Sequence, residues 1–182
     1  MKQPKPKTCR VCKVKFKPWN TTQVVCSTKC ALQYARESAA KKERKEIKEA
    51  KQRIKTRADW IKEAQTAFNG YIRIRDKGKP CISCDKPDNG NHQRHASHFR
   101  SVGAASHLRF NVLNVHASCA TCNGVLSGNL LEYMKRLPNK IGQEKTDWLL
   151  NANFEKRYSI DYAKRVKSIF TKRTRLYKKL FR

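Results

Sequence analysis

The chain has 182 residues, 38% of them hydrophobic, enough for one modest core with helical extensions and too few for a large single core. Lys plus Arg outnumber Asp plus Glu by 42 to 14, a formal net charge of +28, so the chain must meet a polyanion or repel itself. Nucleic acid is the leading partner and a merely solubilising or ribosome-bound surface is the plain alternative; the lack of a membrane-length apolar run or signal-peptide core predicts a soluble, intracellular chain with no membrane partner.

The charge is uneven along the chain. Residues 1–57 carry 18 basic and 4 acidic residues, residues 58–128 carry 9 and 5, and residues 129–182 carry 15 and 5. Two basic arms thus flank a nearly balanced centre, the pattern expected if the arms hold a phosphate backbone and the centre does something else.

In chain order, "CRVC" (Cys9, Cys12) and "CSTKC" (Cys26, Cys30) come first, separated by thirteen residues. In a reducing compartment such pairs are metal ligands, since each tight knuckle presents two thiolates to one point. Four cysteines fill a tetrahedral zinc shell, so this site is read as structural Zn²⁺. Ala31 to Arg57 is rich in Ala, Lys, Glu and Arg with almost no apolar stripe, and predicts a solvated helix that either lies along DNA or serves as a charged spacer.

The composition changes at Thr56. Trp60, Ala64, Ala67, Phe68, Tyr71, Ile72 and Arg75 recur at helical intervals, Asp59 suits the first turn, and Gly78 with Pro80 stops the element. Further on, short helices are predicted around Leu130 to Leu137 and Gly142 to Leu150, divided by Pro138. A last helix starts near Ser159, a good N-cap, with an apolar stripe of Tyr162, Val166, Ile169, Leu176 and Leu180. Arg173 stands at the one step that should be apolar, and Lys164, Lys167, Lys172, Arg175 and Lys179 fall on the opposite face.

The centre holds a second quartet, Cys81 and Cys84 in "CISC" and Cys119 and Cys122 in "CATCN", which predicts a second structural Zn²⁺. Thirty-four residues lie between its knuckles, a long interval for a bare zinc ribbon, and all five histidines fall at or between His92 and His116. Histidine can ligate a metal or take a proton from water. Asparagine offers a neutral oxygen to a hard cation, and the zinc that fixes Cys122 also fixes Asn123. Between Lys77 and Leu131 the carboxylates are Asp85 and Asp88 alone, which disfavours a carboxylate-built two-metal nuclease and leaves a one-metal, histidine-base phosphodiesterase. The plain alternative for the histidines is a set of buried hydrogen bonds or extra zinc ligands; His92 and His107 take that reading, and His116 fits either a place near the metal or packing beside the zinc.

His98 in "HASHF", Asn114 in "NVH" and Asn123 in "CATCN", with "SGN" at 127–129, resemble the HNH or ββα-metal nucleases, and the cysteine-braced form is similar to the phage resolvase endonuclease VII. "WIKEAQTAFNGYIRIRD", "PCISC", "LRFN" and "SGN", with the amino-terminal knuckles, resemble more closely the NinG (Rap) recombination nucleases of lambda-like phages. The resemblance implies an endonuclease for branched DNA such as Holliday junctions and D-loops, at work in the cytoplasm of an infected bacterium, with phage or host recombination proteins as further partners. Cutting two strands symmetrically would favour a homodimer. It implies His98 as general base, Asn114 on its other ring nitrogen, and a catalytic Mg²⁺ or Mn²⁺ on Asn123. Where relatives show an aspartate in an Asp-x-Gly-His run this chain has His95, a candidate replacement ligand. Arg100 and Arg109 are candidate phosphate contacts. The expected fold is α+β and mostly helical: a zinc knuckle at 1–32, a charged helical linker at 33–57, a zinc-braced HNH-like core at 58–130 and basic helices at 131–182. A non-catalytic, zinc-dependent adaptor for branched DNA is the alternative.

Overall fold

The computed structural model describes residues 5–90 and 92–180. They form two compact units that meet in sequence at Lys55 and Thr56.

In the first unit, β1 (Lys7–Thr8) and β2 (Lys15–Phe16) pair antiparallel around the turn that carries Cys9 and Cys12. Cys9 N–H donates to the Val14 carbonyl at 2.9 Å and Lys13 adopts φ 61°, which closes the first knuckle. The second knuckle is the first turn of α1 (Thr28–Arg53), because Ser27 is its N-cap and accepts from Cys30 N–H at 3.3 Å. The helix therefore begins before the expected Ala31 and stops four residues short of Arg57. None of its residues is buried, so its persistence rests on strong helix formers and on loose Lys42–Glu46 and Lys45–Glu49 pairs, each 3.9 Å apart.

The second unit opens with α2 (Arg57–Arg75). Thr56 and Asp59 form a reciprocal capping box, so the predicted first-turn acid is also the cap partner. Ala64, Phe68, Tyr71 and Ile72 are buried, as the periodicity predicts, against Ala163, Val166 and Phe170 of α5 (Ile160–Leu180). Phe68 meets Phe170 and Phe110 edge-on at centroid distances of 4.8 and 5.8 Å. Ser159 caps α5 through Tyr162 N–H, as expected, but the buried stripe is rotated from the predicted one. Phe170 and Tyr177 meet α2, whereas Leu176 and Leu180 are 55% and 67% exposed. Aromatic bulk won over aliphatic spacing. Arg173 occupies the apolar step by lying 5.9 Å from the Tyr71 ring and 5.4 Å from that of Phe170. Because α2 and α5 share this core, the division expected at residue 130 does not separate a core from free arms.

Between α2 and α5 in sequence come β3 (His95–His98) and β4 (Val115–Ser118), an antiparallel pair in which His95 faces Ser118 and His98 faces Val115. A helical turn of π character (Thr121–Val125), α3 (Leu130–Ile141) and α4 (Gln143–Asn151) follow. Pro138 does not divide α3 from α4: the helix runs through it, since a proline near the last turn forfeits only one interior bond, and Gly142 at φ 90° makes the break. Leu108, Phe99, Tyr133, Leu137 and Leu149 fill a second core. Among the described residues no helix is long and apolar enough to cross a membrane.

One ion pair ties these parts together. Asp76, 1% exposed at the end of α2, accepts two bonds from Arg75 at 2.9 and 2.7 Å and one from Ala117 N–H of β4 at 3.0 Å. Arg75 also donates to the carbonyls of Val112 and Val115 at 2.8 and 2.9 Å. Lys79 and Lys140 stand 3.8 and 3.7 Å from the same carboxylate. Although burial opposes ionisation, Arg75 and Lys140 hold the Asp76 carboxyl below its usual range.

Asp76→Ala leaves Arg75 uncompensated and is expected to destabilise the second unit by about 3 to 5 kcal/mol, read from urea unfolding. Acid acts through the same region. Burial, with help from Arg75 and Lys140, pushes His116 down to about 3. Its contribution is thus fully present above an ordinary imidazole pKa of about 6.5 and is lost as pH falls through the folded value. Replacing His116 by Gln is expected to flatten the decline of stability on acidification below about pH 6.5, measured by urea midpoints across that window.

Candidate functional site

The site is built outward from the second cysteine quartet. The sulfurs of Cys81, Cys84, Cys119 and Cys122 lie within 4.8 Å of one another, with Cys84 and Cys119 3.8 Å apart. In the first quartet the same limit holds, with 3.5 Å from Cys12 to Cys26 and 3.7 Å from Cys26 to Cys30. A tetrahedral Zn²⁺ with bonds of about 2.3 Å sets its sulfurs about 3.8 Å apart, so both quartets fit the ion. Backbone N–H groups already point at the thiolates: Cys119 N–H donates to Cys81 Sγ at 3.3 Å and Cys122 N–H to Cys119 Sγ at 3.4 Å. Arg136 of α3 joins the Cys81–Cys84 knuckle to the helix by bonding Asp85 at 2.6 Å, the Ser83 carbonyl at 3.1 Å and Glu132.

The "SGN" run has a backbone reason. Ser127, Gly128 and Asn129 have φ of 46°, 97° and 46°, three successive left-handed residues that end one helical turn and start the next helix. Ser83 Oγ donates to the Gly128 carbonyl at 3.0 Å, and Asn129 Nδ2 to Cys122 Sγ at 3.7 Å. The turn is therefore tied to both cysteine knuckles of this quartet.

His98 closes β3, and alternation places it on the face of Ala96 and Val115, toward α2. Its Nε2 lies 3.0 Å from the carbonyl of Arg109. A carbonyl can only accept, so Nε2 carries the proton and Nδ1 keeps its lone pair. Burial lowers the imidazole pKa below its ordinary value, against the raising effect of that carbonyl, and the nearby Arg109 guanidinium adds to the lowering. His98 is a neutral base.

The expected partner does not set this tautomer. Asn114, fully buried, accepts from Arg100 N–H at 2.9 Å and donates to the carbonyls of Arg100 and Leu108 at 3.0 and 3.4 Å. It draws together the two ends of the loop between β3 and β4, and so places the Arg109 carbonyl that meets His98. The correction follows from satisfaction: a buried amide takes the backbone groups that a loop leaves unpaired.

Arg100 is likewise corrected. Its Nη1 reaches the carbonyls of Leu149, Leu150 and Ala152 at 2.9, 3.2 and 2.7 Å, capping the end of α4 where backbone acceptors are left over. Arg109 keeps a half-buried guanidinium near His98 and remains the phosphate candidate there.

Asn123 sits half-buried one residue after Cys122, on the helical turn, with its backbone N–H on the Cys119 carbonyl at 3.1 Å. His95 does not join His98. Three residues apart on one strand, the two point to opposite faces. His95 opens instead on a cleft of about 330 Å³ lined with Asp88, His92, Arg94, Ala120 and Thr121, whose walls include neither Asn123 nor His98. Among the described residues, the clusters of three or more His, Cys, Asp or Glu fit to hold one metal are the two cysteine quartets. The His95 and Asn123 pair expected for Mg²⁺ or Mn²⁺ is not assembled beside His98.

The remaining histidines are structural or peripheral. His116 Nδ1 donates to the Tyr133 hydroxyl at 2.9 Å, which in turn donates to the Ser97 carbonyl at 3.3 Å. His107 is buried with Nε2 3.0 Å from the Ala152 carbonyl, and His92 is exposed. Sequence reasoning passed over Asp76 and the backbone carbonyl of Arg109. Asp76 lies just outside the acid-poor stretch and has no local signal, and main-chain atoms carry none.

The Bacteriophage Lambda NinG protein family model matches residues 1–180. The ninG protein of Enterobacteria phage H19B is 37% identical over 186 residues, covering 92% of each chain. That of Escherichia phage lambda is 34% identical, covering 92% of this chain and 91% of its own. That of Salmonella phage P22 is 33% identical, covering 86% and 85%. No solved structure matches the chain.

Metal analysis of the purified chain is expected to find two Zn²⁺ per molecule, and Cys122→Ser to leave one while lowering the thermal midpoint of the second unit. Cys30→Ser should likewise remove one ion but leave that midpoint in place.

Proposed function

We propose that this chain, which belongs to the NinG family of lambda-like phage proteins, is a structure-selective endodeoxyribonuclease with an HNH-like core that cuts branched recombination intermediates such as Holliday junctions and D-loops. The observation that carries the reading is the neutral His98 whose Nε2–H is held by the Arg109 carbonyl, on a strand pair followed by a zinc-fixed helical turn. Water bound at Nδ1 gives its proton to His98 as its oxygen attacks the backbone phosphorus in line. The bond from phosphorus to the 3′ oxygen breaks, that oxygen takes a proton from solvent, and the ends are a 5′ phosphate and a 3′ hydroxyl. Arg109 binds a non-bridging phosphate oxygen and stabilises the charge that develops there.

The excess of cations supports a DNA partner, since phosphate neutralisation dominates such affinity. An adaptor that binds branches without cutting shares that charge but has no use for a desolvated, proton-accepting imidazole.

The test is cleavage of a labelled four-way junction beside a linear duplex of the same sequence, in Mg²⁺ and in Mn²⁺. His98→Ala is expected to lower cutting at least about 100-fold while leaving binding within about two-fold. Because its pKa is lowered, the acid limb of the rate profile should lie below pH 6.5, the ordinary imidazole value of about 6.5 being its upper bound. Tight binding without cutting in either metal would sink the nuclease and leave the adaptor.

A further inference from the structure

The first unit carries a feature that the proposed chemistry leaves unused. From Lys41 onward every residue of α1 except the half-buried Gln52 is exposed, yet its charges are not mixed. At 100° per residue, Lys41, Arg44, Lys45, Lys48 and Lys51 fall within an arc of about 120°, and Glu43, Glu46 and Glu49 within an opposite arc of about 120°. Lys42 and Arg53 are the cations on the acidic side, and Glu37 lies on the basic side one turn earlier, where Gln33 Nε2 donates to it at 2.9 Å. A helix that needed charge only for solubility would intersperse the signs, and would gain from i to i+4 pairs in doing so.

The carboxylates also leave the cationic face open. Lys45 has one loose partner, Glu49 at 3.9 Å, and Lys42 off the face has Glu46 at the same distance. Among the described residues, Lys41, Arg44, Lys48 and Lys51 meet no carboxylate within 4 Å. The helix is also anchored at its start: Cys30 is in its first turn, and Arg10 of the first knuckle donates to Tyr34 at 2.8 Å. The cysteine quartet and the Arg10–Tyr34 bond thus hold one end of an unburied helix with a charged edge.

We propose that α1 is a phosphate rail that grips a duplex arm of the DNA substrate, without regard to sequence, through Lys41, Arg44, Lys45, Lys48 and Lys51. This rests on the reading that the chain binds DNA but not on its cutting it. The rail spans ten residue steps, about 15 Å, over which a duplex presents about nine phosphate charges. Five cations at about 3.8 Å intervals thus meet a duplex that carries more charge than they do over the same length, and none needs a base edge.

The test uses the full chain and a fluorescently labelled linear duplex, with binding read by anisotropy from low to moderate salt. Replacing all five cations by Gln keeps helix propensity, and circular dichroism checks that the helix is retained. The slope of log K against log salt is expected to weaken by about 4 to 5, since each of the five phosphate contacts contributes about 0.9. Affinity at a fixed low salt should fall at least tenfold. A second variant adds Glu43→Gln, Glu46→Gln and Glu49→Gln to those five, returning three charges to the net balance on the other face. If the rail acts by position, this variant binds as weakly as the first. Recovery of most of the affinity would show that net charge alone matters and overturn the rail, as would an unchanged slope in the first variant. Tighter binding of a duplex RNA of the same sequence would overturn the DNA occupant. A failure to cut junctions leaves these slopes untouched, so the two readings fail separately.

Discussion

The second unit hangs on the Arg75–Asp76 pair. A carboxylate almost wholly removed from water is costly unless several donors compensate it, and here the donors come from α2, β4, the following turn and α3. Arg75 in turn satisfies two carbonyls of the strand and loop that lead to His98's partner strand. The result is a junction where the helical core, the hairpin and the segment of the second cysteine quartet meet in one hydrogen-bonded geometry. Loss of either partner would not merely weaken a contact but leave a charge in the interior.

From that junction the candidate base inherits its setting. The strand β3 is held between the α2 core and the Tyr133 side, and His98 stands at its end. Asn114 closes the loop so that a main-chain oxygen meets the imidazole. The second quartet, which could hold zinc, plays the complementary part: Cys122 carries the helical turn with Asn123 and accepts from Asn129 of the left-handed run. Asn114 and Arg75 give polar groups to backbone rather than to a ligand, which is how a unit with two small cores reaches a defined shape.

Much of this was legible in the sequence. Both cysteine quartets stood out by spacing, and the buried face of α2 by period. Ser159 and Thr56 announced their helices. The failures have a common cause in that they concern what a side chain touches at long range. Arg100 looks like a phosphate ligand because the free carbonyls of α4 lie 49 to 52 residues away in sequence. The stripe of α5 was misjudged because Phe170 and Tyr177 find aromatic partners on α2 that no local pattern displays. His95 looked like a stand-in for an aspartate, and only the strand register turns it to the other face.

The acceptor for His98 is a main-chain carbonyl, and every amino acid carries one. Position 109 can therefore drift through mutation without disturbing the proton's place on the ring, while its side chain is left to answer to whatever anion lies outside. Orientation of the base and recognition of its surroundings are inherited through different atoms of one residue, so that evolution can retune the second without touching the first.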